Sequence, residues 1–111
     1  MYNCSVITSI YNSEKFIRGF LDNCLEQEGL ENFEFLLLDA ASEDNTQEII
    51  LSYELPKNFL YKRYEQKHPI YETWNLGVDL ASSEILTNWN TDDRKRINGL
   101  KIHSDYMQAN P

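Results

Sequence analysis

The chain has 111 residues, 41% hydrophobic and 25% charged, with 18 acidic against 10 basic side chains and a formal charge of −8. That length fits one domain or a part of one, and the ordinary apolar fraction excludes a disordered chain. The acidic balance excludes a nucleic-acid groove, which needs a basic patch to displace counterions. No apolar run approaches the roughly 20 residues that span a bilayer, and the first residues lack the basic-then-apolar layout of a secretion signal. The expected location is cytoplasmic, at most peripheral to the inner face of a membrane. Cys4 and Cys24 form neither a disulfide framework nor a zinc spacing, and Cys24 reads as a buried free thiol.

Cys4 to Ile10 is short and β-branched, which predicts a buried strand. A helix follows from Glu14 to Gln27, with Phe16, Ile17, Phe20, Leu21, Cys24 and Leu25 on one face and Gly29 as its stop. Phe33 to Leu38 is a second strand, apolar enough to be covered on both sides. It runs into the polar loop Asp39 to Thr46, where Asp44 and Gln47 have capping-box spacing. A helix carrying Ile49, Ile50 and Tyr53 then ends near Pro56. Phe59 to Tyr64 is a third, more exposed strand. Pro69 opens a helix whose inward face is expected to be Ile70, Trp74, Val78 and Ala81. Ile85 to Trp89 is a fourth strand, and the last helix, about Arg96 to Gln108, places Ile97, Leu100 and Met107 on one side.

Four alternations of strand and helix are the signature of an open parallel sheet with crossover helices. Ligands of such sheets bind outside the carboxyl ends of the strands. Three strand ends here are polar: Thr8 to Asn12, Asp39 to Thr46, and Asn88 to Asp93. Asp92 beside Asp93, with Asn90 just before, offers the oxygen ligands that a hard divalent cation takes together with phosphates and water; the same pair also reads as a solvated turn. Asp39 can accept hydrogen bonds from a base or ribose, or order its own loop. Ser9 can bond a base edge, and Tyr11 can stack on it or pack in the core. Asn75 can face the cleft or solvent. His68 and His103 read as surface residues, and Trp74 and Trp89 as core.

Taken together, these segments resemble the family-2 glycosyltransferases of the GT-A type. The family's S-V-I-x-x-x-Y-N opening is matched by Ser5-Val6-Ile7-Thr8-Ser9-Ile10-Tyr11-Asn12. Its F-E strand running into D-D-G-S-x-D-x-T is matched by Phe33-Glu34 and by Asp39-Ala40-Ala41-Ser42-Glu43-Asp44-Asn45-Thr46. Its A-R-N-x-G helix, G-E-Y-I strand and D-x-D-D motif correspond to Thr73 to Gly77, Ser83 to Leu86, and Asn90-Thr91-Asp92-Asp93.

The resemblance implies a GT-A, Rossmann-like, mostly parallel α/β sheet in the order 3-2-1-4 with helices on both faces. It implies that residues 1–111 are the part that binds a nucleotide-diphosphate sugar, a UDP-sugar foremost, with the acceptor half absent. Asp92 inherits the Mn²⁺ or Mg²⁺ position. Ser9, Tyr11, Asp39, Asn75 and Asn90 fall to the nucleotide. The implied reaction is inverting transfer to a saccharide or other hydroxyl acceptor. Ala40, Ala41 and Asn90 depart from the pattern, removing two carboxylates and a glycine. No catalytic base is assigned, Asp93 being the one remaining candidate. The alternative is a non-catalytic homologue that acts as an interaction module and self-associates through an exposed sheet edge.

Overall fold

The structure, a computed structural model, describes residues 2–110. Its strands are β1 (Cys4–Ile10), β2 (Phe33–Asp39), β3 (Phe59–Arg63) and β4 (Leu86–Asn88). Its α-helices are α1 (Ile17–Leu25), α2 (Thr46–Leu51), α3 (Ile70–Leu80) and α4 (Gly99–Ala109), and a single 3-10 turn at Leu30–Asn32 leads into β2. The sheet has the order β3-β2-β1-β4, and all three pairings are parallel. The expected alternation and strand order are therefore observed.

Side-chain alternation along the central strands divides the core between the two faces. Val6, Ile10, Phe35 and Leu37 meet Ile17, Phe20 and Leu21 of α1 and Ile49 and Ile50 of α2. Ile7, Leu36 and Leu38 face the other way and meet Trp74, Leu76 and Ala81. Trp89 is buried in the first cluster, where the Phe20 ring meets it edge-on at 5.4 Å. Both cysteines are buried free thiols; desolvation pushes Cys4 up to about 11 and Cys24 higher still, so neither is a nucleophile near neutral pH.

Two helices bury only part of the face their apolar spacing predicts: Trp74 and Ala81 pack on the second cluster and Leu100 is buried, but the other expected residues are exposed. Thr73 and Gly77 are the buried residues of α3, while Ile70 is 73% exposed and Val78 is also exposed. The cause is close approach: a Cβ on Gly77 would lie 2.5 Å from Cγ2 of Ile7, so the helix seats its glycine on β1 and turns Ile70 and Val78 away. In α4 the buried residues are Leu100 and Ser104; Ile97 and Met107 are exposed.

The Gly77 contact generates a sign test. Gly77→Ala should improve intrinsic helix propensity yet lower stability by about 1–2 kcal/mol in urea unfolding, because the added methyl overpacks Ile7. Unchanged or increased stability would mean that α3 does not approach β1 this closely.

Candidate nucleotide cleft

Parallel pairing brings the carboxyl ends of β1, β2 and β4 to one rim, where their loops must satisfy one another's backbone groups. The loop after β1 and the loop after β2 do so reciprocally. Ser42 Oγ accepts the Asn12 N–H at 2.9 Å, and Asn12 Oδ1 accepts the Glu43 N–H at 2.7 Å. Thr46 Oγ1 accepts the Ser13 N–H at 2.8 Å, Asp44 Oδ2 the Glu14 N–H at 3.2 Å, and Glu14 Oε1 the Asn45 N–H at 3.0 Å. Asp44 also accepts the Thr46 N–H at 3.0 Å, so it orders the start of α2 as a local turn instead of the expected capping box. Asn12 and Ala41 hold φ of 45° and 62°; for Ala41 that is the strained left-handed region, at a position where the family pattern has Gly.

Beside this latch lies a cleft of about 500 Å³, within the size range of small-molecule sites. The end of β1 contributes Ser9 and Tyr11, and the turn after β4 contributes Asn90, Thr91 and Asp92. The third wall is the loop between β3 and α3, with Lys67 and His68. A second hollow, about 490 Å³, lies on the other side of the latch, lined by Glu14 and Asn45 of the latch itself and by Arg18 of α1 and Glu48 of α2.

Four of the expected residues therefore share one hollow: Ser9, Tyr11, Asn90 and Asp92. Two do not. Asp39 is fully buried, and both its oxygens are engaged within the fold. Oδ1 accepts the Ser42 N–H at 2.9 Å and the Ser42 hydroxyl at 2.7 Å, and Oδ2 accepts the Tyr61 hydroxyl at 2.6 Å. Burial, and then the Asp39 carboxylate, push the Tyr61 hydroxyl well above its ordinary value, so Tyr61 remains a donor. In place of that carboxylate the cleft receives Ala40, a methyl group. Asn75 is exposed on α3 and does not line the cleft; at 100° per residue it lies about 200° from both Thr73 and Gly77, which set the inward face. Asp93 is exposed and likewise outside the lining.

Lys67 is a lining residue that the sequence did not single out, and His68, read as a surface residue, lines the cleft as well. Lys67 Nζ lies 4.4 Å from the centroid of the Tyr11 ring. His68 Nδ1 is 2.9 Å from Thr73 Oγ1. The expected strand order already contained the signal. β3 is the far edge strand, and α3 packs on β1 and β2, so the loop after β3 must return across the rim and carry its side chains over the strand ends.

Asp92 and Asp39 differ in what remains available. Asp92 is exposed, and its carboxylate takes no hydrogen bond or salt bridge among the described residues. Among those residues no three His, Cys, Asp or Glu side chains gather as a protein-only metal cage. This donor set fits a cation that takes one carboxylate from the chain and its other oxygens from phosphates and water.

The family model described as Glycosyl transferase family 2 matches residues 5–111. The chain belongs to that family. This family-2 sequence is 30% identical over 106 residues to Glycosyltransferase GlyG of Streptococcus pneumoniae serotype 4, covering 95% of this chain and 34% of that protein. Its structure is similar to S. aureus TarS 1-349 in complex with UDP-GlcNAc, with a TM-score of 0.85 and 27% identity over 98% of this chain and 32% of that one. A fold likeness extends to the mannosyltransferase PcManGT from Pyrobaculum calidifontis in complex with GDP-Man and Mn²⁺, with a TM-score of 0.76 at 23% identity over 83% of this chain and 28% of that one. The chain thus spans about a third of the length of these relatives. Among the described residues no helix is long and apolar enough to cross a membrane.

Two predictions come from the latch. Replacing Ala41 with Gly should raise stability by about 0.5–1 kcal/mol by relieving the left-handed alanine; a loss in urea unfolding would count against the φ observed there. The second concerns pH. Desolvation alone would raise the Asp44 carboxyl, but hydrogen bonds from the Thr46 hydroxyl and amide and from the Glu14 amide outweigh it and hold the group below its ordinary 3.8. A depressed folded value means that Asp44 supports the fold above 3.8 and ceases to as pH falls through that lower value. Asp44→Asn should therefore melt lower than wild type near neutral pH, and the gap should close under strongly acidic conditions. A gap independent of pH would contradict this account.

Proposed function

We propose that the cleft binds a nucleoside diphosphate sugar, a UDP-sugar foremost, with Mn²⁺ or Mg²⁺ on Asp92. On this reading the 111 residues are the donor-binding part of a glycosyltransferase that transfers sugar to a saccharide or other hydroxyl acceptor with inversion. The observation that carries it is the meeting of Ser9, Tyr11, Lys67, Asn90 and Asp92 around one cleft, with no hydrogen-bond or salt-bridge partner on the Asp92 carboxylate among the described residues. The UDP-GlcNAc bound by TarS supports the donor class, and family membership supports the transfer reaction.

Each wall has a task set by its chemistry. Tyr11 offers an aromatic face, and Ser9 a hydroxyl for polar edges of the nucleoside. Lys67 supplies positive charge to a diphosphate inside a protein of charge −8, an electrostatic need that backbone groups alone would meet poorly. Asn90 and Asp92 present oxygens on the side where a cation would stand. A divalent cation held there supplies Lewis-acid stabilisation of the departing diphosphate. Asp92 is the one carboxylate lining the cleft among the described residues, so if it holds the cation, the base for the acceptor hydroxyl has to come from outside this lining.

The exposed Ile102 and Tyr106, one turn apart on α4, favour the second reading, an interaction module. Thermal melting separates the two. UDP with Mn²⁺ should stabilise the chain, by about 2.7 kcal/mol at a hundredfold excess over Kd, and Asp92→Ala should remove the metal-dependent part of the shift. If neither UDP nor GDP with Mn²⁺ moves the melting temperature, the donor-site proposal fails and the interaction reading takes its place.

A further inference from the structure

Among the described residues the Asp92 side chain has no partner, so the backbone of its turn sets its position. We propose that Arg94 is the positioning residue of that turn and that Gly19 is the residue that admits it; the inference rests on the reading of Asp92 as the carboxylate on the cation side. The Arg94 guanidinium donates through Nη1 to the Thr91 carbonyl at 2.7 Å and to the Asp93 carbonyl at 2.8 Å. These are the carbonyls on either side of Asp92. Its Nη2 donates to the Phe16 carbonyl, in the turn leading into α1, at 3.1 Å. One planar fork thus ties both flanks of Asp92 to a helix, a geometry that an ammonium group does not reproduce.

Gly19 makes the approach possible. A Cβ on Gly19 would lie 2.6 Å from Arg94 Nη2 and 3.3 Å from Cζ and Nε, so any side chain there must displace the guanidinium. Nothing about α1 itself calls for glycine, which is among the weakest helix formers in a helix interior. Further along α1 the docking is secured without Arg94. Asn23 exchanges two hydrogen bonds with the Lys95 backbone, at 2.7 and 2.8 Å, and Gln27 bonds the Arg96 carbonyl and the Leu100 N–H. Arg94 is therefore dispensable for holding the two segments together, and its particular effect falls on the turn that carries Asp92.

The test measures UDP affinity with and without Mn²⁺ by titration calorimetry, for wild type, Arg94→Lys and Gly19→Ala. In both variants the gain in affinity conferred by Mn²⁺ should fall about tenfold, the lower end of the effect of disturbing a metal ligand's supporting partner. Metal-free UDP affinity should stay within about twofold of wild type. Gly19→Ala should keep or raise the melting temperature, since Ala outranks Gly in a helix, and amide exchange at Thr91 to Lys95 should quicken while α1 remains protected. Lower metal-dependent affinity at equal or higher stability is the signature that a merely structural role would not give. Should Arg94→Lys fail to fold, Gly19→Ala decides alone. A wild-type Mn²⁺ gain in Gly19→Ala, or unchanged exchange across the turn, overturns the proposal. A wild type that gains nothing from Mn²⁺ overturns the cation reading of Asp92 and this inference with it, a result read before any variant is made.

Discussion

A parallel sheet concentrates a problem at one rim. β1, β2 and β4 all end there, and each ends in a loop whose N–H groups have no ladder partner. The chain solves it by pairing the first two loops: Asn12, Ser13 and Glu14 exchange hydrogen bonds with Ser42, Glu43, Asp44, Asn45 and Thr46. Such bonds contribute about 0.5–1.5 kcal/mol net each; of the five, the Ser13 N–H bond to Thr46 is buried, while those of the Glu14, Glu43 and Asn45 amides are exposed. The wall of the cleft is thus first of all a solution to backbone satisfaction. Its polarity is there whether or not a ligand comes, and this limits what polar composition alone says about a site.

Two aspartates at strand ends on the same rim, with β1 between them, illustrate the limit. Asp39 follows three leucines and lies level with Ile10 of β1 and Arg63 of β3, enclosed by the sheet on both sides. A carboxylate in that position must be fully hydrogen-bonded to be tolerated, and Ser42 and Tyr61 use both its oxygens. Asp92 follows a short edge strand, where neither burial nor neighbours claim it. One residue type at two strand ends is committed inward in the first case and left available in the second. The difference is burial, which local motif spacing does not encode.

Much of the architecture was nonetheless legible. The β-branched and aliphatic runs of β1 and β2, the apolar stripe of α1 and the turn residues between them all agree with one another, and that agreement indicated the element order, while the strand order was implied by the family resemblance. Of the inward faces expected for α3 and α4, Trp74, Ala81 and Leu100 do pack on the core, whereas Ile70, Val78, Ile97 and Met107 do not; periodicity ranks residues by hydrophobicity, while the phase of α3 follows closeness of approach, with Gly77 on Ile7 and Ile70 left outside. The same phase removes Asn75 from the cleft. Lys67 was not singled out, and His68 was read as a surface residue, because their place in the cleft comes from the path of a loop across the rim, which depends on strand order and not on any residue near them.

The three walls also differ in how firmly they are held. α1 anchors two of them. Its leading turn is latched to the loop after β2, and its body holds the segment after Asp92 through Arg94, Asn23 and Gln27. Ser9, Tyr11, Asn90 and Asp92 therefore refer to a single rigid body. The wall with Lys67 and His68 belongs to α3 instead, tied by the bond between His68 and Thr73. Across the cleft, Lys67 reaches over the Tyr11 ring, a cation–π contact worth about 0.5–1 kcal/mol at an exposed site. A charge-assisted hydrogen bond to a phosphate oxygen is stronger than that, so the ring gives Lys67 no reason to resist a diphosphate. The carboxylate side of the cleft is tied to α1 and the turn before it by several hydrogen bonds, and across the cleft the cationic side is tied by one cation–π contact.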